Sequence, residues 1–378
     1  MSRLKVAVVC PRYEPEWGGI ETHVSQLVRR LAHEAEIEVL TQTSDDSLPR
    51  VERRAGALVR RFHVVTPSVN YAWAPTLWTY LARNRHSWDV VHAHHYHALP
   101  ALGAALGSVA PLVLTPHFHG TGHTAFRRAL HVIYRPVGRL LVSRARRIIC
   151  VTAAERRLLS DRFPGSVPRA VVIPNGVECE PLATATPFAS QGPVILVSGR
   201  LEAYKHPVAA VDALSLLPGD VTLKITGDGP ERGALEQRIR QQQLSGRAEL
   251  LGRVSDEDLR RWMRTASVLV SMSEHEAYGI VLLEALAAGA SVVASDIPAH
   301  REIATLYGAG RIQLVPVGAS AEVVANAIRR QLATTPRSSA LPALPTWDGA
   351  AEATLALYRE LAQGGRSVIP TQLAPSTV

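Results

Sequence analysis

Three short stretches of this chain place charged side chains and glycines where a phosphorylated, hydroxyl-rich ligand would need them. In SEHEAYGIVLLEALAAG, residues 273–289, Glu276 and Glu284 stand eight positions apart with the pair Tyr278–Gly279 between them. On one continuous helix, eight positions at 100° each end roughly 80° past two full turns, so the two acids would diverge. They can face one ligand if Tyr278 and Gly279 still belong to a loop, with Glu276 at its mouth and Glu284 in the first turns of the helix. A carboxylate accepts two hydroxyl donors at once, which suits vicinal diols. Two other chemistries fit the same stretch. One is the acid and base pair of a glycoside hydrolase; the other is a metal site from Glu274, His275 and Glu276, although neighbours in sequence do not converge readily on one ion.

The second stretch is GRLEAYKH, residues 199–206, where Arg200 follows the apolar run VILVSG directly and Lys205 stands about where the next helix would start. A planar guanidinium grips two oxygens and an ammonium acts as a point charge, so the pair suits a diphosphate; solvated surface cations are the plain alternative. The third is PRYEPEWGGIETHV, with Gly18 and Gly19 just ahead of a helix beginning near Ile20. Glycine lets backbone approach a ligand, and a helix amino terminus offers free N–H groups to a phosphate. A tight turn would use the same glycines. Neither GxGxxG nor GxxxxGK[ST] follows this first strand, which argues against a dinucleotide dehydrogenase and a P-loop enzyme. VHAHHYH, residues 91–97, carries four histidines in six positions. It reads as a strand end and loop, with His92 and His94 two apart on the strand, rather than as a metal cluster.

The elements that must hold these loops are written in the hydrophobic pattern. Thirteen short β-branched runs, from KVAVVC to RIQLVP, alternate with amphipathic stretches. Such alternation implies parallel sheets with helices on both faces. Thr152 and Glu155 form a capping box, and Ser255 is an N-cap followed by acids. Thirteen strands exceed one open sheet, and GVECEPLATATPFASQG interrupts the alternation. The expected organisation is an amino-terminal domain over 1–175, a linker over 176–192 and a carboxyl-terminal domain over 193–345. A helix over 346–363 then returns toward the first domain, and 364–378 form a disordered tail. Two doubly wound domains facing each other place function in strand-to-helix loops around a central cleft.

Composition narrows the partners. The chain has 378 residues, a formal charge of +8 and 5% aromatic content, and no stretch interleaves aromatic with basic residues. That suits anionic ligands but not a single-stranded nucleic-acid platform, so no nucleic acid is expected. Cys10, Cys150 and Cys179 are far apart and outside CxxC spacing, so neither a disulfide framework nor zinc is indicated and a reducing cytoplasm fits. The apolar start is too short for a signal-peptide core, and Pro and Gly break the uncharged run at 98–116. Residues 127–147 gather Arg127, Arg128, Arg135, Arg139, Arg144, Arg146 and Arg147 around apolar residues. This is a candidate peripheral contact with an anionic membrane, or simply the solvated face of a packed helix.

Taken in order, GGIETH, TPH at 115–117, PNGV at 174–177, GRLEAYKH, TGDGP at 226–230, EAYGIVLLEALAAG and ASDIPAHREI at 294–303 resemble the retaining, nucleotide-sugar-dependent glycosyltransferases of family 4. The resemblance runs from about residue 4 to 360 and implies the GT-B fold, two Rossmann-like domains with the acceptor on the first and the donor on the second. It assigns Arg200 and Lys205 to the donor diphosphate, Glu276 to hydroxyls of the transferred sugar and Glu284 to the ribose. His117 would stand beside donor sugar and acceptor, which makes Arg200, Lys205, Glu276 and His117 the catalytic set. Gly18 and Gly19 would present a backbone N–H to the diphosphate, and Tyr278, Gly279, Ile280 and Val281 would line the donor with their backbone. Arg253, after AELLG, is placed near the base. Many relatives carry Pro where Val281 stands and Phe where Tyr278 stands, which alters the geometry of that loop. The implied reaction moves a sugar from a nucleoside diphosphate to a glycan, lipid-linked or small-molecule hydroxyl, with no cofactor and no catalytic metal. A nucleotide-sugar epimerase and an inactive sugar-nucleotide-binding scaffold are the alternatives.

Overall fold

The computed structural model describes residues 3–66, 72–118, 136–334 and 343–364. The chain divides into two units: residues up to Asn175 with those from Trp347 onward, and residues Gly176–Thr346 between them. In the first unit the β-branched runs become β1 (Leu4–Val9), β2 (Ala35–Thr43), β4 (Ala57–His63), β5 (Val90–His94), β6 (Leu112–Thr115), β7 (Ala145–Cys150) and β8 (Ala170–Val172). These pair in parallel in the order β4-β2-β1-β5-β6-β7-β8. Strands such as β5 and β6 are buried throughout, as parallel strands covered on both faces must be. Connecting helices include α1 (Gly19–Glu34), α2 (Pro75–Arg83), α3 (Leu99–Gly107), α4 (136–144) and α5 (Ala153–Arg162).

One strand departs from the all-parallel expectation. VERR forms β3 (Val51–Arg54), antiparallel to β4 at the sheet edge. Ala55 and Gly56 between them have φ of 49° and 80°, the paired positive values of a two-residue hairpin turn. A charged strand at an edge has no apolar pattern to reveal it, and its charges discourage further pairing.

The second unit holds a six-stranded parallel sheet in the order β11-β10-β9-β12-β13-β14. Its strands are β9 (Val194–Ser198), β10 (Thr222–Thr226), β11 (Ala248–Gly252), β12 (Val268–Ser271), β13 (Ser291–Ser295) and β14 (Ile312–Val315). Around it lie α7 (Val208–Leu214), α8 (Arg232–Gln241), α9 (Asp256–Thr265), α10 (Ile280–Ala287), α11 (Pro298–Tyr307) and α12 (Ala321–Thr334). Each unit has its own apolar core, built on residues such as Leu77, Leu114 and Ile148 in the first and Ile195, Leu223 and Ile328 in the second. Burying one such side chain contributes about 1.5–3 kcal/mol, so each sheet is clamped between its helices largely by these contacts.

Residues 176–192, expected as a linker, belong instead to the second unit. They form α6 (Cys179–Thr184), whose Leu182 is buried and which packs on α9 and α10. Phe188 then lies 4.3 Å from the Trp262 ring and donates its N–H to Thr265 Oγ1 at 2.8 Å. The Pro, Thr and Ala content that suggested a linker marks a break in the strand–helix alternation, not a lack of packing. The last helix, α13 (Trp347–Ala362), joins the first unit and packs against α1. Tyr358 Oη lies 2.6 Å from His92 Nδ1, and Arg30, Arg147 and Arg359 make ion pairs to Asp348, Glu360 and Glu34. The tail expected from 364 lies outside the described residues after Gly364. All three cysteines are free. Among the described residues no helix is long and apolar enough to cross a membrane.

Candidate active site

In a doubly wound sheet the ligand crevice opens at the carboxyl ends of the two strands where strand order reverses. In the second unit those strands are β9 and β12, which are neighbours. The loop after β9 carries Arg200 and Lys205, and the loop after β12 carries Glu276. Lys205 Nζ lies 2.7 Å from Glu276 Oε1, with 23% and 19% of the two side chains exposed. Ser273 donates its hydroxyl to the same oxygen at 2.9 Å. Burial alone would raise the Glu276 pKa, but the Lys205 ammonium, the nearby His300 and the two hydrogen bonds hold it down at about 2. The Lys205 pKa is raised, because the attraction of Glu276 outweighs the burial that opposes it. Both groups therefore stay charged across the physiological range. Arg200 lies on the same loop, about a third exposed, and among the described residues its ion-pair contact is a long one of 3.6 Å to Glu202.

The two loops are fastened to each other and to a third. Glu274 donates its N–H to the Tyr204 carbonyl at 2.8 Å, His206 Nε2 lies 2.8 Å from Glu274 Oε1, and the Tyr204 and His275 rings stack at 4.7 Å. These contacts place Glu274 and His275 in the scaffold beneath Glu276 rather than beside it as ligands of one ion. The TGDGP loop braces the Arg200 side: Leu201 N–H donates to Asp228 O and Glu231 N–H to Leu201 O. Gly227, at φ 112°, approaches the Gly199 carbonyl so closely that any Cβ would overlap it.

The helix after β12 starts only at Ile280, with Gly279 as N-cap at φ 109°. Tyr278 and Gly279 thus belong to the loop, so Glu276 and Glu284 do not lie on one continuous helix. Glu284 sits in the second turn of α10; burial first, then Glu178 and Asp256, push its pKa up to about 7. The Tyr278 ring is buried at 5% exposure, which makes it a packing residue whose backbone alone remains for a ligand. Ile280 and Val281 open the first turn of α10. His300, which no sequence pattern singled out, is fully buried; its Nδ1–H donates to Ser295 O at 3.0 Å, and its ring edge faces the Gly279 α-carbon. Arg253 is exposed after β11, an edge strand separated from β9 by β10, and among the described residues no ion pair joins it to the Arg200, Lys205 and Glu276 group.

The first unit has its own reversal point, between β1 and β5. Gly18 and Gly19 begin α1 there, and the buried Glu21 carboxylate fills the space that a Cβ on Gly18 would take while accepting from Arg12 at 2.8 Å. His23 from α1, His94 from β5 and His117 after β6 come together. Their ring centroids are separated by 5.3 Å (His23–His94), 4.9 Å (His23–His117) and 5.8 Å (His94–His117). All three are buried. Burial lowers the His23 pKa to about 4 despite the bond to Asn175; burial followed by the neighbouring histidines lowers that of His94. His23 Nδ1 lies 2.6 Å from Asn175 Oδ1. His92, two residues from His94, is fully satisfied by Tyr358 and Thr115. The Glu155 carboxylate, whose own N–H is capped by Thr152, accepts from the N–H groups of Phe118 and Val151 and so fixes the segment that carries His117. Sequence reasoning named His117 as a site residue and put His94 only at a strand end, and it did not bring either together with His23. The ETH and PNG motifs contained the signal for His23 and Asn175, but nothing local ties them together.

Two family models divide the chain between them: Glycosyltransferase Family 4 matches residues 17–181 and Glycosyl transferases group 1 matches 182–341. The phosphatidyl-myo-inositol mannosyltransferase of Mycobacterium leprae is 30% identical over 341 residues, covering 84% of this chain and 85% of its own length. The chain belongs to glycosyltransferase family 4. Solved structures agree on the fold of this family 4 glycosyltransferase. Sucrose-phosphate synthase from Thermosynechococcus elongatus superimposes with a TM-score of 0.77 at 21% identity, covering 96% of this chain and all of that one. Anabaena HepE in complex with UDP-glucose gives 0.71 at 20% identity, covering 95% and 98%. The family 4 chain is thus a transferase with the two parallel α/β units of the GT-B fold. Of its basic stretch, Arg127, Arg128 and Arg135 lie outside the described residues. In α4, Leu141 and Val142 are buried while Arg139, Leu140 and Arg144 are exposed, and Arg147 is engaged by Glu360.

Proposed function

We propose that this glycosyltransferase moves a sugar from a nucleoside diphosphate to an acceptor hydroxyl with retention of anomeric configuration. One observation carries the reading: a cation and a carboxylate, Lys205 and Glu276, held 2.7 Å apart at the two strand ends that flank the reversal point of the second sheet. Breaking the anomeric C–O bond puts growing negative charge on the leaving diphosphate. The Arg200 fork and the Lys205 ammonium, fixed in advance, stabilise that charge more than the ground state. Glu276, kept ionised, accepts from hydroxyls of the transferred sugar, and Glu284 accepts from the ribose diol. The acceptor attacks on the face that the diphosphate leaves, and a phosphate oxygen takes its proton. Side chains supply the positive charge in this scheme, so it assigns no metal to catalysis.

The UDP-glucose complex of Anabaena HepE supports a UDP-sugar as the first donor to try, and the name of the mycobacterial relative supports a lipid-linked or polyol acceptor. Exposed Leu140 and Arg139 on α4, with exposed Leu106 and Val109 on neighbouring elements, support peripheral contact with an anionic, cytoplasmic membrane face. The test is a thermal-shift screen against UDP-, GDP-, ADP- and dTDP-sugars, in which a donor at a hundredfold over its Kd adds about 2.7 kcal/mol. The responding donor is then followed by NMR to the anomer of the product. An inverted anomer, or no response to any of the four donors, refutes the reading. Flotation with and without anionic lipid tests the membrane contact.

A further inference from the structure

We propose that His23, His94 and His117 form a three-imidazole site for a borderline-soft divalent transition ion such as Zn2+, and that filling it blocks transfer. Each ring offers one nitrogen, and the three nitrogens lie within 4.8 Å of one another. A zinc–nitrogen bond near 2.05 Å puts each ring centroid roughly 3.2 Å from the ion, so tetrahedral angles separate centroids by roughly 5.2 Å. The observed separations of 5.3, 4.9 and 5.8 Å straddle that value. Drawing the nitrogens in to the about 3.3 Å spacing of a tetrahedral shell then needs ring rotation more than backbone movement.

The surroundings match those of a histidine ligand. Metal-bound histidines usually give their second nitrogen to an oxygen acceptor that fixes tautomer and orientation. Asn175 Oδ1 does this for His23 Nδ1, which leaves His23 Nε2 as a bare acceptor without a hydrogen bond among the described residues. His94 Nδ1 is likewise buried without one. Two buried ring nitrogens, neither hydrogen-bonded among the described residues, call for a partner. The donor set has nitrogens and no carboxylate, which selects Zn2+, Cu2+ or Ni2+ over Mg2+ and Ca2+. At 8% exposure His117 is the most accessible of the three, against 3% for His23 and 1% for His94. The inhibitory half of the inference rests on the proposed role of His117 at the transferred sugar: an ion that holds this ring withdraws it from the reaction. The ion would therefore act as an inhibitor and not as a cofactor, since catalysis needs no metal on the same reading.

The binding half is tested without turnover. Chelator-treated, tag-free full-length protein is titrated with Co2+ and read by visible absorption. One equivalent should give the intense bands of four- or five-coordinate cobalt, which one equivalent of Zn2+ removes. His23→Ala and His94→Ala should lose the bands, exposed His63→Ala should keep them, and Asn175→Ala should weaken binding by about 10- to 100-fold. Circular dichroism checks each fold, and His23→Gln, which keeps a polar side chain, replaces any alanine variant that does not fold. A weak octahedral spectrum in the wild type, or full bands in a folded His23 variant, overturns the site. Zn2+ should also suppress donor hydrolysis by the wild type, reversibly by chelator; activity unchanged at saturating Zn2+ overturns the inhibitory half. If no donor is turned over, the functional reading fails while the cobalt spectrum still decides the site.

Discussion

Replacing Lys205 with alanine should separate what its ion pair does for stability from what it does for catalysis. The Glu276 pKa is held at about 2 instead of its ordinary 4.5. The folded value lies below the unfolded one, so the carboxylate stabilises the protein fully above about pH 4.5 and loses that stabilisation as pH falls toward 2. A shift of that size corresponds to about 3 kcal/mol. Stranding a buried carboxylate by removing its partner costs about 3–5 kcal/mol, in line with that figure. Lys205→Ala should therefore lower unfolding stability at pH 7 by about 2–3 kcal/mol, the residual exposure of the pair and the Ser273 bond moderating the loss. Between pH 5 and 3 it should lose less further stability than the wild type, because a loss of that size brings the folded Glu276 pKa back toward its unfolded value and removes most of the linkage. Adding Glu276→Gln should restore most of the stability but none of the activity, which Lys205→Ala should reduce by on the order of a hundredfold or more. Urea unfolding at several pH values, together with turnover of the responding donor, provides the assay. A single variant as stable as the wild type at pH 7, with the same acid limb, would refute the electrostatic argument; unchanged turnover in a folded variant would refute the role of Lys205.

Glu284, with a pKa near 7, should make nucleotide affinity rise by up to about tenfold between pH 6 and 8 as the carboxylate ionises, and Glu284→Gln should abolish that dependence in calorimetric titrations. Its folded pKa lies above its unfolded value, so ionisation costs stability as pH rises from about 4.5 through 7; Glu284→Gln should accordingly stabilise the unliganded protein at pH 8 by about 1–3 kcal/mol. At Gly279 a Cβ would meet His300 Cδ2 at 3.1 Å on a backbone of φ 109°, so Gly279→Ala should cost about 1–3 kcal/mol in thermal unfolding and weaken donor binding with it. Tyr358→Phe removes the hydroxyl 2.6 Å from His92 and should destabilise the first unit by about 1–3 kcal/mol, read as a lowered Tm.

What could be read in advance followed from local pattern. β-branched runs became the parallel strands because burial on both faces demands them, and the placement of Arg200, Lys205 and Glu276 on the loops after β9 and β12 was legible because those loops follow directly on buried strands. What escaped was either unpatterned or convergent. Three of the four residues of the β3 edge strand VERR are charged, and α6 hides in a Pro- and Thr-rich stretch whose packing depends on Leu182 and Phe188 finding α9 and α10. The histidine cluster draws on α1, β5 and the segment after β6, so its members, 71 and 23 positions apart, meet only once the sheet is assembled. His300 likewise matters through the ring edge it turns to Gly279, a relation that no spacing along the chain encodes.

The chain leaves the first unit after Asn175 and returns to it at Trp347, and a 2.9 Å hydrogen bond from Val177 N–H to Pro345 O ties together the two ends of what lies between. The residues that seal His92 and flank His23, Tyr358 and Trp347, are made only after the whole second unit. On the ribosome the half that emerges first must therefore wait, its sheet uncovered along one helix, while the half that emerges second can close completely. Birth order and completion order are reversed, and a chain stopped just short of Trp347 would carry a finished second unit attached to an unfinished first.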